Sequence, residues 1–173
     1  MAGSAWGEVK ARAYLTVSNT MSNSESLIEN REMLTVLFGG WPSFHDAEVI
    51  ELNCWRGSIK PGDWDDSNIF PILAVKLRIL RAAQNAYSAG SPDVLATLRF
   101  YDVDQLKIDD FNHVNQIFNF TVVSQERGSF LNGEKLPPYL VVSFDRGFGI
   151  SAEFRCFRIE VSDVVAFEDE TAI

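Results

Sequence analysis

Two adjacent side chains, His45 and Asp46, offer the clearest combination for acid–base chemistry, since a carboxylate can orient an imidazole as a base. Adjacent residues of a β-strand, however, point to opposite faces of the sheet. We therefore expect the pair to open the first strand, with Asp46 capping a turn, and to carry no catalysis.

No nucleophile is indicated beside either histidine. The two thiols, Cys54 and Cys156, lie in alternating apolar patterns, where a free cysteine behaves as a small hydrophobe. Neither has a sequence context typical of an activated thiol. No serine stands in the Gly-x-Ser-x-Gly turn of hydrolases. The sequence therefore predicts a protein that is not an enzyme.

Clustered oxygen ligands occur once, at Asp63, Asp65, Asp66 and Asn68, as in a calcium-binding loop. The central glycine and distal glutamate of an EF-hand are missing, so a solvated acidic turn is the favoured interpretation. The histidines and cysteines lack the paired spacing of a zinc site. We expect neither a metal nor another cofactor.

A polar cluster runs from Phe111 through His113 to Asn115. These groups could bind a ligand, or they could satisfy backbone groups where the chain turns into the next strand, which we favour. Gly147-Phe-Gly149 is interpreted as a turn, because one glycine pair is weak evidence for a phosphate-binding loop.

Length and charge restrict the function further. The 173 residues suit one domain, which we place at residues 21–173, after a flexible extension at 1–20 that contributes little stability. Fifteen basic against 24 acidic residues give a net charge of -9, which disfavours nucleic acid and anionic membranes and favours a basic partner. No apolar stretch approaches a membrane span or signal peptide, so we expect a cytoplasmic protein.

The pattern predicts one helix followed by strands. Ser22-x-x-Glu25 resembles a capping box, apolar residues recur at helical spacing over 24–38, and Gly39-Gly40 ends the helix. Alternating apolar positions then predict strands. Their members are Ile50, Leu52, Cys54; Leu73, Val75, Leu77, Ile79; Val94, Ala96, Leu98, Phe100; Phe118, Phe120, Val122; Leu140, Val142, Phe144; and Ile150, Ala152, Phe154, Cys156.

The last strand then shifts phase to Phe157, Ile159 and Val161, as a β-bulge would produce. One-sided alternation favours antiparallel strands. The predicted fold class is α+β, mainly β: about six antiparallel strands in one curved sheet, with one N-terminal amphipathic helix packed on it.

Three sequence blocks together resemble the immunity protein 50 family of bacterial polymorphic-toxin systems. The blocks are Trp41-Pro-Ser-Phe-His-Asp-Ala-Glu-Val49, Phe111-Asn-His-Val-Asn-Gln-Ile117 and Val142-Ser-Phe-Asp-Arg-Gly-Phe-Gly-Ile-Ser-Ala-Glu-Phe-Arg-Cys156. They bracket about residues 24–162. This chain departs from the family pattern in its residues 1–20 and in the arginine at position 146.

The resemblance implies a mostly β cytoplasmic protein that binds and neutralises a cognate toxin, with no catalytic residues. The motif residues are expected to be structural, with Trp41, Pro42 and Phe44 seating the helix and Cys156 filling the core. The other motif residues in this class are His45, Asp46, Phe111, His113, Asn115, Gly147 and Phe154.

The acidic loop is the expected contact with a basic toxin. Trp64 could serve as an anchor between Asp63 and the pair Asp65 and Asp66. Equally, Trp64 could pack against the sheet beneath its own loop.

Three other functions stay open. A small-ligand-binding β-module predicts a pocket of roughly 300 Å³ or more, lined by phenylalanine and tryptophan. A metal-dependent hydrolase requires His45, His113 and the acidic loop to converge. A structural interaction domain would self-associate through an exposed strand edge.

Overall fold

A computed structural model describes residues 24–56, 71–81 and 92–167, which form a nine-stranded sheet, a 3-10 turn and a short α-helix. The turn is Ser24–Leu27 and helix α1 is Glu32–Phe38. The strands are β1 Ile28–Glu29, β2 Glu48–Trp55, β3 Ile72–Ile79, β4 Val94–Tyr101, β5 Asp104–Asp109, β6 Gln116–Gln125, β7 Tyr139–Phe148, β8 Ser151–Cys156 and β9 Arg158–Ala166. Their order is β1-β9-β4-β3-β2-β6-β7-β8-β5.

The sheet curls because two chain runs stay paired through a common bend. Strand β4 runs into β5, β8 runs into β9, and the runs pair as β4 with β9 and β5 with β8. Tyr101 lies opposite Arg158 before the bend, and Asp104 lies opposite Arg155 after it. Since β8 and β9 stand near opposite ends of the strand order, the sheet must fold round to bring these ends together.

Four phenylalanines fill the inside of the curl. Phe100 of β4 meets Phe154 of β8 edge-on, with ring centroids 4.9 Å apart. Phe120 of β6 stacks on Phe144 of β7 at 5.3 Å. All four side chains are buried, and edge-on and stacked aromatic contacts add to the stabilisation from burial. The core is therefore enclosed by strands far apart in the sheet order.

The mainly β class and the single sheet are confirmed, but the predicted number of about six strands is wrong. The bend divides each of two continuous runs into two strands, and the two-residue β1 adds another. Strand β1 also pairs parallel with β9, through Ile28 opposite Ile159, whereas antiparallel pairing was expected throughout. The predicted bulge at Phe157 is instead this bend, where the chain passes from β8 to β9.

The predicted inward faces are confirmed for β3, β4, β7 and β8, whose alternating apolar residues are buried. The prediction is wrong for Ile50, Cys54 and Phe118, which are exposed. Pairing shifts between Val49 and Glu51 in β2, and on either side of Ile117 in β6. Such irregularities let consecutive residues face outward, which strict alternation cannot anticipate.

The predicted helix over 24–38 is too long. Ile28 pairs with β9, and Asn30 adopts a positive φ of 56°, so α1 begins only at Glu32. Leu34 is its one buried residue, so α1 presents no distinct amphipathic face of the kind predicted. The helix does end at Gly39, as predicted, with a left-handed φ of 73°. Ser22 of the proposed capping box lies outside the described residues.

An ion-pair network holds β1 against β9 and β4. The Arg158 guanidinium lies 3.7 Å from the Tyr101 ring centroid and donates to the Glu29 carboxylate at 3.0 Å. The Tyr101 hydroxyl donates to Glu160 at 2.6 Å. Burial raises the pKa of Tyr101, and this hydrogen bond raises it further. The network ties three strands together beside the bend.

Replacing Phe154 by alanine should lower the free energy of unfolding by roughly 3–5 kcal/mol, because it removes a buried ring that contacts two other rings. Urea unfolding followed by circular dichroism measures the change. Phe130→Ala, at a half-exposed ring, is the control and should change the free energy by less than about 1 kcal/mol. Equal losses in both variants would contradict the assigned core.

Candidate binding surface

Three chain segments meet at one end of the curled sheet, and we call residues 44–50, 110–118 and 145–149 the motif end. The Asp46 N–H donates to the Ile117 carbonyl at 3.0 Å, and the Ile117 N–H donates to the Ala47 carbonyl at 2.9 Å. Gln116 lies opposite Glu48 on one side and Phe148 on the other. The three blocks that resemble the immunity family thus contribute to one place in the fold.

The segment before β2 is anchored in the core by aromatic contacts. The Phe44 ring lies 5.0 Å from Phe120 and 5.5 Å from Trp41, and Pro42 is also buried. These contacts connect the end of α1 to the inside of the sheet. Cys156 and Phe154 are likewise buried.

His45 and Asp46 form a pair on the surface. The His45 Nδ1 lies 2.9 Å from the Asp46 carboxylate, and both side chains are about half exposed. The expectation that they point to opposite faces is wrong, because Asp46 adopts a left-handed φ of 63° in a turn before β2. The His45 ring also meets Phe118 edge-on, at 4.8 Å between ring centroids.

The amides of the 111–115 segment hold the turn itself. The Asn112 N–H donates to the Asn115 side-chain oxygen at 2.7 Å, and the Asn115 amide donates to the Asn112 carbonyl at 2.6 Å. Asn115 is buried, whereas Phe111 and His113 are exposed. Of the two interpretations left open, the backbone-satisfying one describes Asn115.

Two glycines let the end of β7 and the β7–β8 connection approach the start of β6 and this turn. A Cβ at Gly149, whose φ is +95°, would lie 2.0 Å from the Val114 carbonyl oxygen. A Cβ at Gly147 would lie 2.9 Å from the Gln116 carbonyl oxygen. Arg146, where the chain departs from the family pattern, bonds the Asp110 carboxylate at 2.6 Å. The connection is therefore tightly fitted to the turn.

The outer face of the motif end carries two exposed aromatic rings. Phe118 is 58% exposed and Phe148 is 69% exposed. Neither ring was predicted to lie on the surface: alternation placed Phe118 in the core, and Phe148 was interpreted only as part of a turn. Two features of the sequence could have indicated their exposure: the consecutive apolar pair Ile117-Phe118 and the glycines that flank Phe148.

The depressions on the described surface approach the volume of the pocket that a small-ligand module predicts, but their linings differ from the aromatic lining expected. Three of them have volumes of about 230, 260 and 280 Å³ and are lined largely by charged and polar side chains. In the largest, Arg127 lies over Phe157 and Arg155 lies over Tyr139. No group of three potential metal ligands occurs within the described residues.

The acidic loop of Asp63, Trp64, Asp65 and Asp66 lies outside the described residues, so its role in partner binding stays a prediction. In the part of the chain that the structure describes, no helix combines the length and the apolar character that crossing a membrane requires.

Comparison with known families decides the classification. The profile of the family described as Immunity protein 50 matches residues 30–166, well over half of the chain. The chain belongs to the immunity protein 50 family. The matched range contains the whole motif end and all strands from β2 to β9. No curated protein and no solved structure matches this immunity protein 50 family member.

The two thiols should react at very different rates. Cys54 is exposed, whereas Cys156 is buried, and burial raises the pKa of its thiol to about 12. Because only the thiolate reacts, a disulfide reagent should label one thiol in the native protein and the second only in denaturant. Cys54→Ser should abolish the native reaction. Rapid native labelling of that variant would contradict the burial of Cys156.

Gly149→Ala should lower the free energy of unfolding by roughly 2 kcal/mol or more, because the new methyl group meets the Val114 carbonyl and the backbone is left-handed. The control is Gly128→Ala, where a Cβ has no neighbour within 4 Å. Thermal unfolding of both variants measures the difference. Equal stabilities would show that the motif end relaxes without cost.

Proposed function

We propose that this protein binds and neutralises a cognate protein toxin of a bacterial polymorphic-toxin system, in the cytoplasm of the producing cell. The observation that carries the proposal is the match to the immunity protein 50 family over residues 30–166. The family name indicates immunity in a toxin system. Direct binding of one cognate toxin is the mechanism proposed here.

The rigidity of the sheet supports inhibition by binding. A preorganised surface loses little conformational entropy when it binds, so more of the contact energy appears as affinity. The aromatic core and the tightly fitted turn at Gly149 provide this rigidity. Neutralisation by occlusion requires no catalytic group, and we propose none.

Charge supports a basic toxin as the partner. The chain carries 24 acidic and 15 basic residues, so its net charge is -9. Such a field accelerates encounter with a positively charged protein, and added salt weakens the effect. Nucleic acids and anionic membranes carry the same sign of charge as this protein and are not proposed as partners.

Titration against the toxin distinguishes binding from catalysis. The probe is the C-terminal domain of the toxin encoded by the neighbouring gene, and the readout is its residual activity at increasing amounts of this protein. Inhibition should be complete near one molar equivalent, with a stable one-to-one complex by light scattering and about 1,200–2,000 Å² of buried surface. Co-expression of the two proteins should restore growth.

Neutralisation at far less than one equivalent would indicate turnover and would refute the binding mechanism. If co-expression restores no growth and no complex forms, the immunity function itself is wrong for this pair.

A further inference from the structure

The outer face of the motif end is defined by a row of side chains across three strands. Glu48 of β2, Gln116 of β6 and Phe148 of β7 lie opposite one another. Directly opposed residues share a face of the sheet, and the flanking Val49 and Ile117 are buried on the other face. The row therefore points outward.

Phe118 extends the apolar part of this row. It follows Gln116 by two positions along β6 and is 58% exposed, and Phe148, which lies opposite Gln116, is 69% exposed. The pairing irregularity around Ile117 and the close-packed Gly147 determine these outward positions. Neither ring is free to fold into the core, because Ile117 and Phe144 already occupy the inward positions.

The local structure restricts the motion of Phe118. The His45 ring meets it edge-on at 4.8 Å, and the Asp46 carboxylate holds His45 at 2.9 Å. An aromatic side chain that is already restrained loses less entropy on binding. Exposed aromatic residues at the centre of an interface commonly supply much of its affinity.

The segments that carry the two rings are acidic overall. The motif end contains four carboxylates, at Asp46, Glu48, Asp110 and Asp145, and one arginine, so its formal charge is -3 with histidines neutral. That arginine, Arg146, already pairs with Asp110. On β3, Arg78 lies opposite Glu48 but bonds the Asp93 carboxylate at 2.8 Å.

This charge selects among possible occupants. A second copy would bring a face of the same charge against these carboxylates, which opposes self-association. A basic protein surface would instead pair its cationic groups with these carboxylates. Another exposed apolar pair, Phe130 and Leu131, lies on the β6–β7 connection beside two acidic and two basic residues, so no sign of charge is favoured there.

We infer that the outer face of the motif end is the toxin-binding surface, with Phe118 and Phe148 at its centre and Asp46, Glu48 and Asp145 at its rim. The inference rests on the proposed function and specifies where the toxin docks. The toxin would present a basic surface with an apolar patch that accepts the two rings.

The central test removes both rings. Phe118→Ser combined with Phe148→Ser should weaken binding of the neighbouring toxin domain by about 30-fold or more, the effect expected for two interface anchors. The matched control, Phe130→Ser with Leu131→Ser, should stay within about twofold of wild type, since it removes an exposed apolar pair elsewhere. Calorimetric titration measures both affinities, and thermal unfolding shows whether each variant is folded.

The rim has its own charge-matched test. Glu48→Lys with Asp145→Lys should slow association by about tenfold at low ionic strength and flatten its dependence on salt. Glu126→Lys with Glu134→Lys changes the net charge equally on the β6–β7 connection and should slow association less. Stopped-flow measurements over a range of salt concentrations separate this local effect from that of net charge.

Hydrogen exchange can be measured on the complex of the wild-type protein with the toxin domain, so its result is independent of whether any variant folds. Protection should appear in segments 44–50, 110–118 and 145–149. Tight toxin binding with protection elsewhere, including the acidic loop at 63–66, would overturn the surface assignment and leave immunity intact. An altered self-association in the Phe118 and Phe148 variant, with toxin binding unchanged, would overturn it too. If the wild-type protein binds no toxin, both proposals fail.

Discussion

Two chain runs, β4 with β5 and β8 with β9, pair with each other along their whole length although both bend. Strands β4 and β9 pair on one side of the bend, and β5 and β8 pair on the other, so the sheet cannot lie flat. The curl brings Phe100, Phe144 and Phe154 from distant strands into contact. Burying these rings stabilises the curled form, because each large aromatic side chain leaves water only when the sheet closes over it.

The same curl places the three motif segments at one end. Close approach there demands the absence of side chains, at Gly149 against Val114 and at Gly147 against Gln116. The amide groups of Asn112 and Asn115 then satisfy the turn internally. The close packing and the hydrogen bonds together fix the backbone that carries the exposed aromatic rings. A rigid surface with exposed apolar groups supports the binding role proposed above.

Much of this architecture could be predicted from residue types alone. The alternation in β3 and β4 specifies inward and outward faces, because each side of a strand meets either the core or water. The helix end at Gly39 was also predictable, since a left-handed residue favours glycine. The immunity function was predicted from the family resemblance, because the side-chain chemistry alone indicates no particular function.

The predictions from sequence were wrong where pairing between distant chain segments overrides the local pattern of apolar residues. Ile28 fits a helical repeat, yet it pairs with Ile159 in β9, a contact that no local window contains. Phe118 fits a two-residue alternation, but an irregularity in pairing with β7 turns it outward. The aromatic surface was missed for this reason: its location depends on interstrand register, which the sequence of one strand does not encode.

Strand β9 also has a consequence for the order of assembly. The pairs β3–β4, β6–β7 and β7–β8 join neighbouring chain segments, so they can form early. Closure requires Arg158 to reach Tyr101 and Ile159 to reach Ile28, and such distant contacts slow folding. During synthesis, β9 cannot pair with β4 or β1 before residues 158–166 have emerged from the ribosome. Apolar side chains that stay exposed before closure favour association with other chains, so slow pairing of β9 would favour aggregation.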